Sequence, residues 1–413
     1  MLEALPLVFV LAGAVLYTVL AGADFGAGFW QLSAGRGPHA ERIREHAHNS
    51  MAPVWEANHV WLIFVLTVFW TAYPRAFGSI ASTLALPLFI AALGIIFRGA
   101  AYALRAGASS PRESGLIDTI FSLSSILTPF ALGAAIGGIA TDRVPVGNAT
   151  GHLISSWLNP TSVFIGVLAV SNAAYLAAVY LAADAARLDD RALEREFRLR
   201  ALGAGVIAGA IALAGFAVVH GNDYKLFHSL LTGDALGAVV VSIGTGVAAL
   251  ALVYRRRFEA ARYAAAVAVA AIIVGWALAR WPTILPGLSV DQAAAGHDTL
   301  VWVVVAVLGG GAILFPSLGL LFRLQLAGRF RPAETGAAER AGEGLPAHEP
   351  RLLVRFAIAC LIAGIGLLNV ADARWAHTVG ILCLFAFIVS AFLAIIPAAL
   401  GEEAVPARRS NSR

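Results

Sequence analysis

Eleven runs of about 20 mostly apolar residues divide this chain of 413 residues, and each could cross roughly 30 Å of hydrocarbon as a helix. They cover approximately 5–27, 52–72, 79–98, 115–140, 160–183, 201–219, 235–254, 263–279, 299–322, 353–370 and 377–400. A backbone exposed to lipid must satisfy its own hydrogen bonds, and no period-two alternation points to a barrel, so helices are predicted. Composition agrees. Hydrophobic residues make up 59% and charged residues only 13%, too little polar surface to cover a soluble globule. The same figures exclude a disordered chain and a nucleic-acid-binding protein. The 41 glycines suit helices packed closely through small residues. The first run lacks a basic leading region and is read as a retained span, despite the small residues Ala21-Gly22-Ala23. Cys360 and Cys383 lie within apolar runs and form neither a disulfide framework nor a Cys-x-x-Cys pair.

The predicted fold is therefore an all-α polytopic transmembrane bundle. A nine-helix domain (1–325) precedes a polar, flexible linker (326–351), a two-helix hairpin (352–402) and a polar tail (403–413). Basic residues set the expected orientation. Arg75, Arg143, Lys225, Arg280 and Arg374 fall one to each of five connections on one side, and the rest of the 29 Lys and Arg fall on the other. That asymmetry predicts an outside N-terminus and a cytoplasmic C-terminus. The net charge of +4 is thus a topology signal and does not call for a polyanionic partner.

Ionisable groups inside spans are where chemistry is sought, because burying them in lipid is unfavourable. Asp24 falls near the cytoplasmic end of the first run. Glu56 and His59 fall at the same end of the second, one turn apart on one helix face. Two carboxylates and an imidazole at one depth are what a proton-entry site requires, since burial moves such groups toward neutrality. The competing reading is a headgroup-level cap, or pairing with Arg42 or Arg44; for Asp118 that reading is favoured. His39, His46 and His48 fall in a predicted cytoplasmic loop and His348 in the linker. His152, His220, His228 and His297 fall near outer loops, and no in-span pair has ligand spacing. Met1 and Met51 are the only methionines, so no haem or metal is expected on this chain. No Gly-rich phosphate loop precedes a Lys-Ser/Thr pair.

The stretch Asn49-Ser50-Met51-Ala52-Pro53-Val54-Trp55-Glu56-Ala57-Asn58-His59-Val60-Trp61-Leu62 resembles the signature of subunit II of cytochrome bd-type quinol oxidases. That family reads approximately N-S-x-x-P-x-W-[DE]-x-N-Q-V-W-L here. Upstream, Ala21-Gly22-Ala23-Asp24-Phe25-Gly26-Ala27-Gly28 resembles the family's D-G-F-D-x-G-x-G, and Tyr73-Pro74 and Phe97-Arg98 fall where the family has similar pairs. Ala21, Ala23, Ala57 and His59 depart from the pattern, and the hairpin after 352 has no counterpart. The resemblance implies the non-haem subunit of a quinol:oxygen oxidoreductase in a bacterial inner membrane. It would stabilise a larger partner, subunit I, which carries haems b558, b595 and d and the quinol site. It would also contribute a cytoplasmic proton path to dioxygen reduction and bind a structural quinone. Asp24, Glu56 and His59 would form that path, with Trp55, Asn58, Trp61 and Arg98 as structural motif residues. Quinol, dioxygen and membrane lipid are the implied partners. A proton-coupled secondary transporter and a purely structural scaffold are the alternative classes, although no inverted repeat or pair of interrupted helices supports transport.

Overall fold

The computed structural model describes residues 1–35, 37–51, 55–105, 110–326, 351–370 and 374–395, without some side chains, among them those of Met51 and Trp55 to Ala57. Almost all of this is helix. In chain order the helices are α1 (Leu5–Leu32), α2 (Pro38–Met51), α3 (Trp55–Ala72), α4 (Pro74–Thr83), α5 (Ala85–Arg105) and α6 (Pro111–Ala140). Then follow α7 (Pro160–Arg187), α8 (Arg191–Asn222), α9 (Tyr224–Leu230), α10 (Gly233–Tyr254) and α11 (Phe258–Arg280). A two-strand hairpin, β1 (Thr283–Leu285) and β2 (Leu288–Ser289), leads to α12 (Val290–Ala293) and α13 (His297–Leu326). The last two are α14 (Arg351–Val370) and α15 (Arg374–Ile395).

Among the described residues each of the eleven predicted runs falls on helix, the third on parts of both α4 and α5. Eight are long and apolar enough to cross a membrane: α1, α5, α6, α7, α8, α10, α11 and the first 21 residues of α13. Helices α3, α14 and α15 hold shorter apolar stretches among the described residues: Asn58–Ala72, Arg355–Leu367 and Thr378–Phe387. The predicted boundaries need two corrections. Helix α1 continues two turns past Asp24, and α5 continues to Arg105, so Arg98 belongs to a helix interior and not to a connecting loop. The third run is also broken: Leu84, outside helical geometry, separates α4 from α5. A further difference lies before α3, where the histidine-bearing stretch predicted as a loop forms α2. There Ala40, Ile43 and Ala47 recur on one helical face and are buried, which holds a mostly polar helix against the bundle.

Helix starts follow local chemistry. Pro occupies the first turn of α1, α4, α6 and α7, where its missing N–H leaves nothing unsatisfied. Ser110, Asn159 and Asp190 accept hydrogen bonds from first-turn amides of α6, α7 and α8. Those amides, with Arg42 at 2.7 Å, hold the Asp190 carboxyl below the usual carboxylate range.

Cα proximity divides the chain into Met1–Gly319 and Leu320–Arg413. In the first unit α1 lies against α3, α6, α7 and α11. Small residues make this possible: a Cβ at Gly26 would fall 1.9 Å from the Ala173 carbonyl oxygen on α7. One core gathers Ala23, Ile43, Leu176, Val179, Phe197 and Val253; a second gathers Tyr73, Leu84, Ala134, Val144, Leu285 and Leu300. In the second unit α14 packs on α15, with Gly364 against Leu384 and the Gly380 carbonyl. The predicted linker, apart from its two end residues, and the predicted tail lie outside the described residues.

Candidate functional site

The apolar bundle encloses one strongly polar cluster, built by α1, α3, α5 and α6. On α1 every residue from Ala21 to Gly28 is buried. Asp24 is 1% exposed, and Arg98 on α5 is equally buried. The Arg98 Nη2 donates to Asp24 Oδ1 at 2.5 Å and to the Asp24 carbonyl at 3.1 Å. Its Nη1 donates to the hydroxyl of Ser125 on α6, which in turn donates to the Phe121 carbonyl at 2.6 Å. The guanidinium carbon lies 4.2 Å from the Phe121 ring centroid and 5.0 Å from that of Phe25. Two aromatic faces thus replace water around the cation. Gly28 leaves the space for this: a Cβ there would lie 2.2 Å from the Ser125 Oγ and 3.3 Å from Arg98 Nη1.

Helix α3 closes the other side. The Asn58 amide, fully buried, donates to the Leu20 carbonyl at 3.4 Å, one turn before Asp24 on α1. His59 is half-buried beside it. Trp61 packs with Tyr17, Ala21 and Phe25, and stacks on Phe315 of α13 with ring centroids 6.5 Å apart. The side chains of Glu56 and Trp55 lie outside the described residues; their backbone forms the first turn of α3. Four buried polar atoms accept or donate no hydrogen bond among the described residues: Asp24 Oδ2, Arg98 Nε, Asn58 Oδ1 and the Tyr17 hydroxyl. Such orphans in one place mark a site that holds water or a further polar group.

Of the predicted residues, Asp24, Asn58 and Arg98 therefore belong to one cluster on three different helices, with His59 on the same helix as Asn58. Asp24 pairs with Arg98, and not with Arg42 or Arg44, which bind Asp190 and Glu41. Asp118 pairs with Arg105 at 2.6 Å. Sequence reasoning missed Ser125, Phe121 and Tyr17. The signal for Ser125 was available as the hydroxyl-rich Ser122, Ser124, Ser125 and Thr128 inside an apolar run, all buried.

A second polar feature is a cleft of about 570 Å³ between α2, the end of α7 and the start of α8. Asn49 and Ser50 line it with Arg42, Glu45, His46 and Asp184. The His46 ring reaches the Leu181 carbonyl through Nε2 at 3.0 Å.

The family model of cytochrome bd terminal oxidase subunit II matches residues 2–325. The chain belongs to this family. Subunit 2 of the Bacillus subtilis cytochrome bd ubiquinol oxidase is 29% identical over 151 residues, 36% of this chain and 43% of that protein. Subunit 2 of the Escherichia coli K12 cytochrome bd-I ubiquinol oxidase is 26% identical over 229 residues, 52% of this chain and 57% of that protein. A putative cytochrome bd menaquinol oxidase subunit II of Bacillus subtilis is 24% identical over 241 residues, 57% and 68% of the two chains. The chain thus aligns with about half the length of the first two of these relatives. Its fold is similar to that in the structure of bd oxidase from Geobacillus thermodenitrificans, with a TM-score of 0.66, 21% identity, and coverage of 79% of this chain and 98% of that one.

Family members belong to haem-containing oxidases, which raises the question whether this subunit II offers haem ligands of its own. Among the described residues no group of three or more His, Cys, Asp or Glu side chains gathers as a metal site. Axial ligation of haem needs His, Met, Cys or Tyr aimed at a flat apolar slot. His46 is directed at a backbone carbonyl, His48 is stacked on Tyr102, His220 packs edge-on to Phe227, and Met1 is fully exposed. None of these four side chains is placed as an axial haem ligand.

Proposed function

We propose that this chain is the non-haem subunit of a bd-type quinol oxidase, seated beside a larger haem-bearing subunit in a bacterial inner membrane. In this reading its N-terminus lies outside and its C-terminus in the cytoplasm. Its contribution to chemistry is protonic: reducing dioxygen to water consumes protons, and a bundle impermeable to water must supply a route for them. Asp24, Glu56 and His59 form that route. The observation that carries this reading is the half-satisfied Asp24 carboxylate. One oxygen is fixed by Arg98; the other, Oδ2, is buried beside the Asn58 amide and makes no hydrogen bond of regular geometry among the described residues. A carboxylate held in this way keeps its position while one oxygen stays open to a water or a titrating neighbour.

In this reading Glu56, in the first turn of α3, is the entry group, His59 relays or tunes it, and Asp24 receives the proton. The Arg98–Ser125–Phe121 arrangement holds Asp24 in place and makes no proton transfer itself. The same packing, with Trp61 as a motif residue, supports the helices that would face the partner.

Glu56→Gln keeps shape and hydrogen bonding but removes the titrating proton, and Glu56→Asp restores it. Oxygen consumption per mole of haem in the purified complex is expected to fall at least about tenfold in Glu56→Gln and to recover largely in Glu56→Asp, with haem content unchanged. Wild-type turnover in Glu56→Gln would remove Glu56 from the route. Loss of assembly with unchanged turnover per haem would make it a structural residue.

A further inference from the structure

Arginines are distributed unevenly along one end of the bundle. Around α2, α7 and α11 each is matched: Arg42 with Asp190, Arg187 with Glu259, and Arg262 with Asp184. Around α8 and α10 the matching is incomplete, although Arg200 pairs with Glu196 at 3.0 Å. Arg191, Arg195 and Arg198 recur at i, i+4 and i+7 on α8, which places them on one stripe. The Arg198 Nε donates to the Val253 carbonyl at 3.2 Å and its Nη2 to the Tyr254 carbonyl at 2.6 Å. Arg198 thereby closes the C-terminus of α10 and brings the stripe beside the turn Arg255-Arg256-Arg257. Of these six cations only Arg256 meets an acid, Glu194 at 3.6 Å. Arg191, Arg195, Arg255 and Arg257 are exposed and make no ion pair among the described residues.

The same stripe changes character one turn along α8. Leu199, Val206 and Leu213 continue it, each more than half exposed, with Val247 on α10 exposed in the same way. Helix α8 has 32 residues, about 48 Å of length against roughly 30 Å of hydrocarbon. Its surplus therefore carries the arginines into the headgroup layer, above a wall suited to acyl chains. Tyr254, 68% exposed and 5.4 Å from the Arg198 guanidinium, stands at the boundary, where amphipathic aromatics sit.

We propose that the α8 stripe and the α10–α11 turn form a binding site for the phosphate headgroup of an anionic phospholipid. Guanidinium groups take phosphate oxygens two at a time, and paired cations at a bilayer edge concentrate anionic headgroups. A soluble phosphate would use the arginines and leave the apolar wall idle. An acidic protein segment would use the arginines and leave no role for Leu199, Val206 and Val247. A lipid uses both.

The test takes the full chain in its native assembly, extracted in mild detergent, and counts phosphatidylglycerol retained per chain by lipid mass spectrometry. Arg191→Gln, Arg195→Gln, Arg255→Gln and Arg257→Gln are combined, sparing Arg198 because it closes α10. The combined variant is expected to retain at least fivefold less phosphatidylglycerol, and phosphatidylcholine retention is expected to stay the same. Added phosphatidylglycerol should raise the thermal midpoint of the wild type, whereas inorganic phosphate at the same concentration should not. Equal retention in variant and wild type would overturn the proposal, as would equal stabilisation by inorganic phosphate. Should the variant fail to fold, a photoreactive phosphatidylglycerol applied to the wild type decides. Labelling concentrated on α8 and the α10–α11 turn supports the site. Labelling spread over all faces, or cross-linking of Arg255 and Arg257 to a protein neighbour, refutes it.

Discussion

A guanidinium and a carboxylate taken out of water together are tolerable only while each keeps the other. At Asp24 and Arg98 both are 1% exposed, so removing one leaves an uncompensated charge in the bundle. Breaking such a pair is strongly destabilising, about 3–5 kcal/mol. Arg98→Met is therefore expected to reduce membrane yield sharply, and Asp24→Asn with Arg98→Met to recover part of it, read as folded protein per cell and as thermal midpoint. A single variant as stable as the wild type would show that the pair contributes little. His48 gives a second residue-level expectation. It stacks on Tyr102 of α5 at 5.1 Å and faces Arg105 of α5 and Asp118 of α6, with Arg98 deeper. Burial, then Arg105, holds its imidazole below the ordinary histidine range. The folded protein thus binds this proton less readily than the unfolded chain, so stability falls as pH drops through about 6.5 and below. In His48→Phe, which keeps the ring contact, the loss of thermal midpoint between pH 7.5 and 5.5 should be smaller than in wild type. Equal losses would exclude His48 as the source.

At the scale of helices, close approach decides the arrangement. Gly26 lets α1 touch α7 so nearly that a methyl group would overlap the Ala173 carbonyl, and backbone there cannot yield as a side-chain tip can. Gly26→Ala is expected to lower the thermal midpoint markedly, on the scale of overpacking, about 1–3 kcal/mol. Gly209→Ala, with nothing within 4 Å, should be neutral or slightly stabilising in the same assay. The helices themselves were legible because each needs a long apolar run, whereas their ends were not. The predicted third run stops at Arg98, because a charge normally ends a span; Asp24, 74 residues earlier, with Ser125, Phe25 and Phe121, lets α5 continue past it. Helix α2 was missed for the opposite reason: its polar surface hid the narrow stripe of Ala40, Ile43 and Ala47. The candidate site was legible as acids within motifs, while Ser125 became significant only through a contact that folding creates.

For the whole molecule, the match to the family ends at residue 325, close to the division between the two units at Gly319. The second unit carries its own helix–helix contact at Gly364. We expect a chain ending at Leu326 to insert and fold, with trypsin resistance of the first unit and oxygen consumption per haem within about twofold of the full chain. Complete loss of the chain from membranes would make the second unit a requirement for folding.

The Asp24–Arg98 bond also constrains how the protein is made. Helix α1 leaves the ribosome long before α5, and the 74 positions from Asp24 to Arg98 take about 4–15 seconds at usual elongation rates. During that interval Asp24 has no guanidinium to meet, and an acid in a lone helix is unfavourable in lipid, by at most about 2.5–3.5 kcal/mol at the bilayer centre and by less toward the helix end. Until α5 arrives, helix α1 therefore carries an uncompensated polar group in the bilayer. The helix reaches its full stability in the membrane only when α5 arrives and the two charges meet.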